Sequence, residues 1–374
     1  MSLLTISCPC LFGLESVLSG EVKRMGGENV QVTDGKVTFQ GDEAMVAKAN
    51  ICLRTAERVL IQLGSFQARS FTELFDQTVQ LPFEAFIGRT DAFPVKGWSL
   101  GSQLHSIPDC QSIIKKAAVR RMEQVYRQSW FEETGPVHQI QFSIHKDNVC
   151  IFLDTSGAGL HKRGYRKTSN AAPIKETLAA GIIDLARVRQ DDVVYDPFCG
   201  SGTFLVESAF HALNIAPGMR RRFSAEQWDC FSKEVWTAQR KEANARIRRD
   251  GKFRAFGYDI DPEAVALSQE NAYQAGVAGR VKTSCQGIDR FQIEDERAII
   301  FANPPYGERM LEIQQAEEIY RTMGRVFQQR KYLSFYIISP HENFEEIFGR
   351  PADKRRKLYN GMIKCQLYMY FRSK

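Results

Sequence analysis

Asp196-Pro197-Phe198-Cys199-Gly200-Ser201-Gly202-Thr203 follows the β-prone run Val193-Val194-Tyr195 and precedes Phe204-Leu205-Val206-Glu207-Ser208-Ala209-Phe210, whose apolar spacing suits a helix packed on a sheet. Strand, glycine turn and helix in that order form the local geometry with which an open α/β sheet holds a nucleotide-like ligand at the carboxyl ends of its strands. Asp196 falls at the strand end, and Gly200 and Gly202 let the backbone approach a ligand with no Cβ in the way. The dinucleotide pattern G-x-G-x-x-G needs a third glycine at position 205, which is leucine, and the phosphate loop G-x-x-x-x-G-K fails at the same position.

Two further stretches extend this reading. Phe256-Gly257-Tyr258-Asp259-Ile260-Asp261-Pro262 reads as a second strand ending in acids, with Asp259 the better ribose ligand and Asp261 the better cap for a helix that starts at Pro262. Val281 to Ser284 reads as a third strand with Asp289 just beyond it, and Ile299-Ile300-Phe301-Ala302-Asn303-Pro304-Pro305-Tyr306 is an apolar strand that stops abruptly in Asn-Pro-Pro-Tyr. Taken in order, these stretches resemble class I S-adenosylmethionine-dependent methyltransferases that act on an amino or amide nitrogen. The resemblance implies S-adenosylmethionine along Asp196, Pro197, Phe198, Cys199, Gly200, Ser201, Gly202 and Thr203, with Asp259 at the ribose, Asp289 near the adenine amine, and Ile260 and Asn303 also in contact with it. It implies catalytic work for Asn303, Pro304, Pro305 and Tyr306: the Asn303 oxygen and the Pro304 carbonyl accept from the target amine, and Tyr306 offers a face to the base.

The 374 residues suffice for two or three domains, and 50 Lys+Arg against 44 Asp+Glu give +6, a mild excess that favours an anionic partner without deciding one. The nine cysteines are scattered without a C-x-x-C pair, which fits a reducing cytoplasm and a cytoplasmic location. Cys199 reads as a small buried residue, and the six dispersed histidines give no zinc spacing, so no metal is expected. No apolar run approaches the roughly 18 residues that span a bilayer, and no membrane partner is expected.

Toward the N-terminus, a strand over Leu3–Cys8, a helix, a hairpin turning on Asp34-Gly35, a helix over Asp42–Ile51 and a strand around Val59–Leu63 give the β-α-β-β-α-β order of ferredoxin-like folds. Helix, strand, a long helix from Pro108 and two strands follow, to Asp154. The long helix carries Lys115, Lys116, Arg120, Arg121 and Arg127, either a solvated face or a phosphate-tracking surface. Leu160-His161-Lys162-Arg163-Gly164-Tyr165-Arg166-Lys167 is a basic run containing an aromatic; Tyr165 could stack on a base or pin the linker to the next domain.

This arrangement, with the tail Lys354-Arg355-Arg356-Lys357-Leu358-Tyr359-Asn360-Gly361, resembles the THUMP-domain methyltransferases, and within them the bacterial 23S ribosomal-RNA guanine-N2 methyltransferases. The resemblance implies an α/β protein: a Rossmann-like class I sheet, parallel with a final antiparallel hairpin, preceded by ferredoxin-like and THUMP α+β domains. The corresponding segments are a ferredoxin-like domain over 1–56, a THUMP RNA-binding domain over 57–155, a basic linker over 156–171 and a methyltransferase domain over 172–374. RNA would be held by Lys162, Arg163, Tyr165, Arg166, Lys115, Lys116 and Arg120. The catalytic half is expected to open with a helix from Ala172 to Ile183 and to carry an insertion, His211 to Gly251, that is either a substrate-facing lobe or an extra surface helix pair.

Rival functions share part of this pattern. Asn-Pro-Pro-Tyr also serves DNA adenine-N6 and protein glutamine methyltransferases; the basic linker and paired N-terminal modules disfavour the latter, and no helix suited to reading a major groove supports the former. A carbon-5 enzyme would need a nucleophilic cysteine in the Asn-Pro-Pro-Tyr strand, which has none. A transfer RNA remains an alternative substrate to 23S rRNA, and a non-catalytic RNA-binding assembly factor is a further class.

Overall fold

The structure, a computed structural model, describes residues 3–166, 173–295, 297–307, 310–327 and 332–372. Its first elements are β1 (Leu4–Pro9), α1 (Glu15–Met25), β2 (Glu28–Thr33), β3 (Lys36–Gly41), α2 (Glu43–Cys52) and β4 (Leu60–Gln67). Then come α3 (Phe71–Val79), β5 (Val95–Leu100), α4 (Ile107–Tyr126), β6 (Ile140–His145) and β7 (Asn148–Asp154). The remainder comprises α5 (Glu176–Ala186), β8 (Val193–Asp196), α6 (Thr203–Ala212), α7 (Lys233–Ala245), β9 (Arg254–Asp259), α8 (Pro262–Ala275) and β10 (Val281–Cys285). It ends with β11 (Ala298–Ala302), α9 (Met310–Phe327), β12 (Leu333–Ser339), α10 (Phe344–Phe348), β13 (Lys354–Asn360) and β14 (Ile363–Tyr370).

The chain divides into two compact units: Met1–Cys10, Ser19–Leu160 and Arg221–Glu242 in the first, Leu11–Leu18, His161–Arg220 and Ala243–Lys374 in the second. In the first unit a single sheet of seven strands runs β2-β3-β1-β4-β7-β6-β5. The expected β-α-β-β-α-β order is present, with β2 and β3 joined at Asp34-Gly35 and α2 capped by Asp42, whose carboxylate accepts from the Met45 N–H at 2.9 Å. β4 pairs antiparallel with both β1 and β7, so the ferredoxin-like and THUMP portions share one sheet.

The insertion belongs, over Arg221–Glu242, to this first unit. Ser224 Oγ and Trp228 Nε1 both donate to the Val137 carbonyl, at 2.8 and 3.0 Å, and the Trp228 ring stacks on His138 with centroids 4.3 Å apart. Arg221 donates to the carbonyls of Ala158 and Gly159 at 2.7 and 2.9 Å. Over this part the insertion is no free surface pair: Trp228 is buried against Val137 and His138, and Trp236 is buried against Phe223.

The second unit is built on the sheet β10-β9-β8-β11-β12-β14-β13, parallel except where β14 runs against β12 and β13. β8 and β11 are buried along their whole length, as expected of central parallel strands covered on both faces. The two-residue period sorts their side chains cleanly: Val194, Ile299 and Phe301 enter the core under α5, α6 and α8, while Tyr195, Ala298 and Ile300 enter the core under α9 and α10. The strand order reverses between β8 and β11, the topological switch point at which such sheets bind ligands. One boundary differs from expectation. α5 begins at Glu176, because Lys175 takes the extended cap conformation and Pro173 and Ile174 precede the helix; Ala172 lies outside the described residues.

Candidate active site

At the carboxyl ends of β8, β9, β10 and β11 a cleft of about 780 Å³ opens within the second unit. Asp196, Pro197, Phe198, Cys199, Gly200, Ser201 and Thr203 line it from the β8–α6 turn, Asp259 and Ile260 from the end of β9, and Asp289 from the turn beyond β10. Asn303, Pro304, Pro305 and Tyr306 close the side below β11. Gly202 stands behind the lining; its φ of +78° and a Ser268 Oγ that a Cβ would meet at 2.3 Å leave room for glycine alone.

The turn is held from below. The Asp259 carboxylate accepts from the Gly200 N–H at 2.9 Å and from the Asp261 N–H at 3.0 Å, and Asn271 Nδ2 donates to the Ser201 carbonyl at 2.8 Å. A carboxylate has about four acceptor sites, so Asp259 can serve the turn and a ligand's hydroxyls together. Asp261 caps α8, accepting from the Glu263 N–H at 2.9 Å. Asp196 is fully buried and accepts from the Phe198 N–H at 3.0 Å; burial pushes its carboxyl up to about 8, and the charge of Asp259 adds to the rise. Among the described residues no cation pairs with Asp196. The cleft thus suits a ligand that brings positive charge to Asp196, hydroxyls to Asp259 and an apolar face to the exposed Ile260. Cys199 is buried, and desolvation holds its thiol protonated.

On the opposite wall Tyr306 donates its hydroxyl to Asn303 Oδ1 and accepts from Asn360 Nδ2 at 3.3 Å. Tyr320 donates to the Pro305 carbonyl at 3.0 Å, which pins the double-proline turn to α9. Burial raises the Tyr306 hydroxyl well above the usual phenol range, so it stays a donor. Asn360, at the β13–β14 turn, also lines the cleft, together with Gly361 and Ile363. Sequence reasoning saw Asn360-Gly361 as a turn and missed this second role.

Part of the basic run is placed differently from expectation: Arg163 is buried, while Tyr165 takes the second of its two expected roles, pinning the run to the second unit. Arg163 and Tyr165 are 4% and 3% exposed and lie in the interior of the second unit. Both meet Glu207 on α6: Arg163 pairs with its carboxylate at 3.4 Å and the Tyr165 hydroxyl donates to it at 3.2 Å. Arg166 donates to Thr203 Oγ1 at the first residue of α6 and pairs with Glu176 at 3.4 Å. Arg163 and Tyr165 thus present no guanidinium or ring to a nucleic acid; the reason is Glu207, a buried carboxylate that demands a partner, while Arg166 is part-buried against Thr203 and Glu176. Lys162 is exposed, and Lys167 lies outside the described residues. On α4, Lys115 is engaged by Glu133 and the Phe93 carbonyl and sits 3.4 Å over the Phe93 ring centre. Lys116 is exposed, as is Arg120, which pairs with Glu123 at 3.6 Å.

Three family models match along the chain: an RlmL ferredoxin-like domain over residues 5–60, a THUMP domain over 68–154 and an RMKL-like methyltransferase domain over 163–369. The chain is 41% identical over 369 residues to the Bacillus subtilis (strain 168) protein named "Putative RNA methyltransferase YpsC", covering 98% of this chain and 96% of the relative. It is 31% identical to the "Ribosomal RNA large subunit methyltransferase K/L" of Psychromonas ingrahamii; 98% of this chain is covered, but it spans only 50% of that relative's length. A solved structure titled "SMU.472, a putative methyltransferase complexed with SAH" superposes with a TM-score of 0.95 at 36% identity, covering 100% of this chain and 99% of the other. With a methyltransferase domain matched over more than half its length and a relative so similar from end to end, the chain belongs to the RMKL-like methyltransferase family.

Proposed function

We propose that this protein is an S-adenosylmethionine-dependent RNA methyltransferase that modifies the exocyclic N2 amine of a guanine in 23S rRNA. The observation that carries the reading is the meeting of two walls in one cleft: the Asp196–Thr203 turn with Asp259, and the Asn303-Pro304-Pro305-Tyr306 turn facing it. The names of the B. subtilis and P. ingrahamii relatives support RNA, and the latter supports large-subunit ribosomal RNA.

The residues fit the cofactor. Asp196 would face its cationic end, Asp259 its ribose hydroxyls, Ile260 and Asp289 its base, and the glycine turn would let the backbone lie against it. When bound, S-adenosylmethionine supplies an electrophilic methyl group; the protein contributes position and electrostatics. The amine of guanine is a weak nucleophile because its lone pair is delocalised into the ring. Asn303 Oδ1 and the Pro304 carbonyl accept from its two N–H bonds, which favours a tetrahedral nitrogen and points its lone pair across the cleft. Tyr306, donating to Asn303, leaves that oxygen a second lone pair for the substrate and fixes its direction. The prolines add no competing N–H donors. No side chain need act as a strong base, because the amine proton becomes acidic once the nitrogen is alkylated.

Mass spectrometry of nucleosides from the rRNA and tRNA of cells lacking the protein tests this reading. Loss of one N2-methylguanosine from 23S rRNA is expected; loss from tRNA alone, or no loss, would contradict it.

A further inference from the structure

β13 is the edge strand of the second unit's sheet, and with β14 it forms a hairpin whose turn reaches the cleft. The antiparallel register puts Lys357 and Tyr359 on the same face of β13, with Lys364 of β14 directly opposite Tyr359. The Lys357 ammonium lies 5.4 Å from the centre of the Tyr359 ring. Phe12 stands edge-on to that ring at 6.3 Å, held there by a turn at Gly13 that approaches the Lys357 carbonyl so closely that a Cβ would lie 2.5 Å from it. Arg355 is occupied by Glu345 and Arg356 donates to Ser16 Oγ at 2.9 Å; among the described residues no carboxylate pairs with Lys354, Lys357 or Lys364. At the tip Met362 is 98% exposed, between the cleft-lining Gly361 and Ile363, and Phe12 is 57% exposed.

Cations alone would have an ordinary explanation, since lysines on an edge strand block pairing with another sheet. That explanation does not cover an exposed phenylalanine beside the Tyr359 ring and an exposed methionine at the hairpin tip next to the cleft. Aromatic faces alternating with unpaired ammonium groups are the chemistry that holds single-stranded nucleic acid: bases stack on rings while phosphates meet the cations.

We propose that the β13–β14 hairpin is the track along which single-stranded RNA flanking the target nucleotide docks, one base stacking at Tyr359 and Phe12 and adjacent phosphates meeting Lys357 and Lys364. The turn at Asn360-Gly361-Met362 separates that track from the cleft, so the neighbouring nucleotide crosses it to enter. This deepens the reading of the protein as an RNA methyltransferase and rests on it.

The test measures affinity for an unstructured RNA oligonucleotide across a salt series, with calorimetric affinity for S-adenosylhomocysteine as the check on folding. Lys357→Ala with Lys364→Ala should weaken RNA binding and lower the log–log salt slope by about 1.4, at roughly 0.7 per phosphate on a single strand. Tyr359→Ala should weaken binding by about 5- to 150-fold, and Tyr359→Phe should restore it. If the alanine pair loses S-adenosylhomocysteine affinity, the glutamine pair, which keeps most of the stems, gives the deciding slope. Parental affinity and slope in the double variant, with parental binding by Tyr359→Ala, would overturn the proposal and leave a protected edge strand. Should the parent transfer methyl groups to RNA while the variants bind as it does, the track alone falls. Should the parent neither bind nor methylate RNA, the function proposed above falls, and the track with it.

Discussion

The Tyr306 hydroxyl donates to Asn303 Oδ1, so the acceptor proposed to receive the substrate amine is itself held by a neighbour three residues on. Asn360 Nδ2 completes the chain at 3.3 Å from the Tyr306 oxygen, and the ring packs against the core beneath α5 and α6. On the function proposed above, Tyr306 would act as a positioning group as well as a face for a base. Tyr306→Phe keeps the ring and removes the tether; a neutral hydrogen bond contributes about 0.5–1.5 kcal/mol net, so kcat should fall up to about tenfold with KM for RNA little changed. Tyr306→Ala should also raise KM, because a lost stacking face costs about 1–3 kcal/mol per base. Equal kinetics for the phenylalanine variant and the parent would show that the tether is idle.

The Arg163–Glu207 pair sets a prediction on stability rather than on RNA. Removing one partner of a buried ion pair strands the other and costs about 3–5 kcal/mol. Arg163→Ala should show a loss of that order by denaturant titration, with the salt slope of RNA binding as in the parent. Unchanged stability with a slope reduced by about one would instead make Arg163 a phosphate ligand.

Asp196 should make the proposed cofactor site pH-dependent. Its carboxyl is raised from 3.8 to about 8 by burial, so between 3.8 and about 8 it is mostly protonated in the folded protein and ionised in the unfolded chain. Between these values the folded state binds more protons than the unfolded, so this group's contribution to stability is largest at low pH and declines as pH rises toward 8. A cationic ligand reverses the preference. Binding of S-adenosylmethionine should release protons, seen as a buffer-dependent calorimetric enthalpy, and tighten as pH rises through about 8. In Asp196→Asn both effects should be absent, and proton release that persists there would assign it to another group.

Asp259 joins the glycine turn to the proposed ribose site through the Gly200 N–H. Asp259→Ala should weaken cofactor binding at least about tenfold, since hydrogen bonds to a charged group contribute about 1.5–3 kcal/mol. Affinity equal to that of the parent by calorimetry would remove Asp259 from the site.

The second unit was readable from sequence because its central strands are covered on both faces: Val193 to Tyr195 and Ala298–Ala302 must be continuous apolar runs, and each stops in a polar residue, Asp196 or Asn303, with no packing reason to be there. The burial of Arg163 was not legible because charge in a sequence does not say what lies opposite. Its partner, Glu207, sits more than 40 residues on; a lone acid inside the apolar Phe204–Phe210 stretch was the available sign that a buried counter-charge was required. Asn360 escaped notice because an Asn-Gly pair is fully accounted for as a hairpin turn, and its contact with Tyr306 is a tertiary one. Nothing in the local pattern of Arg221–Glu242 states that it packs within the first unit; Trp228 and Trp236 signal only that it is buried somewhere.

The most direct test of the central claim is transfer of labelled methyl from S-adenosylmethionine to protein-free or partly assembled large-subunit RNA by the parent and Asn303→Ala, with the product nucleoside identified. The parent should yield N2-methylguanosine, and Asn303→Ala should lose on the order of 10²–10³ in rate while keeping its affinity for RNA. Label recovered as N6-methyladenosine would contradict the guanine assignment. Robust transfer by Asn303→Ala would contradict the mechanism itself.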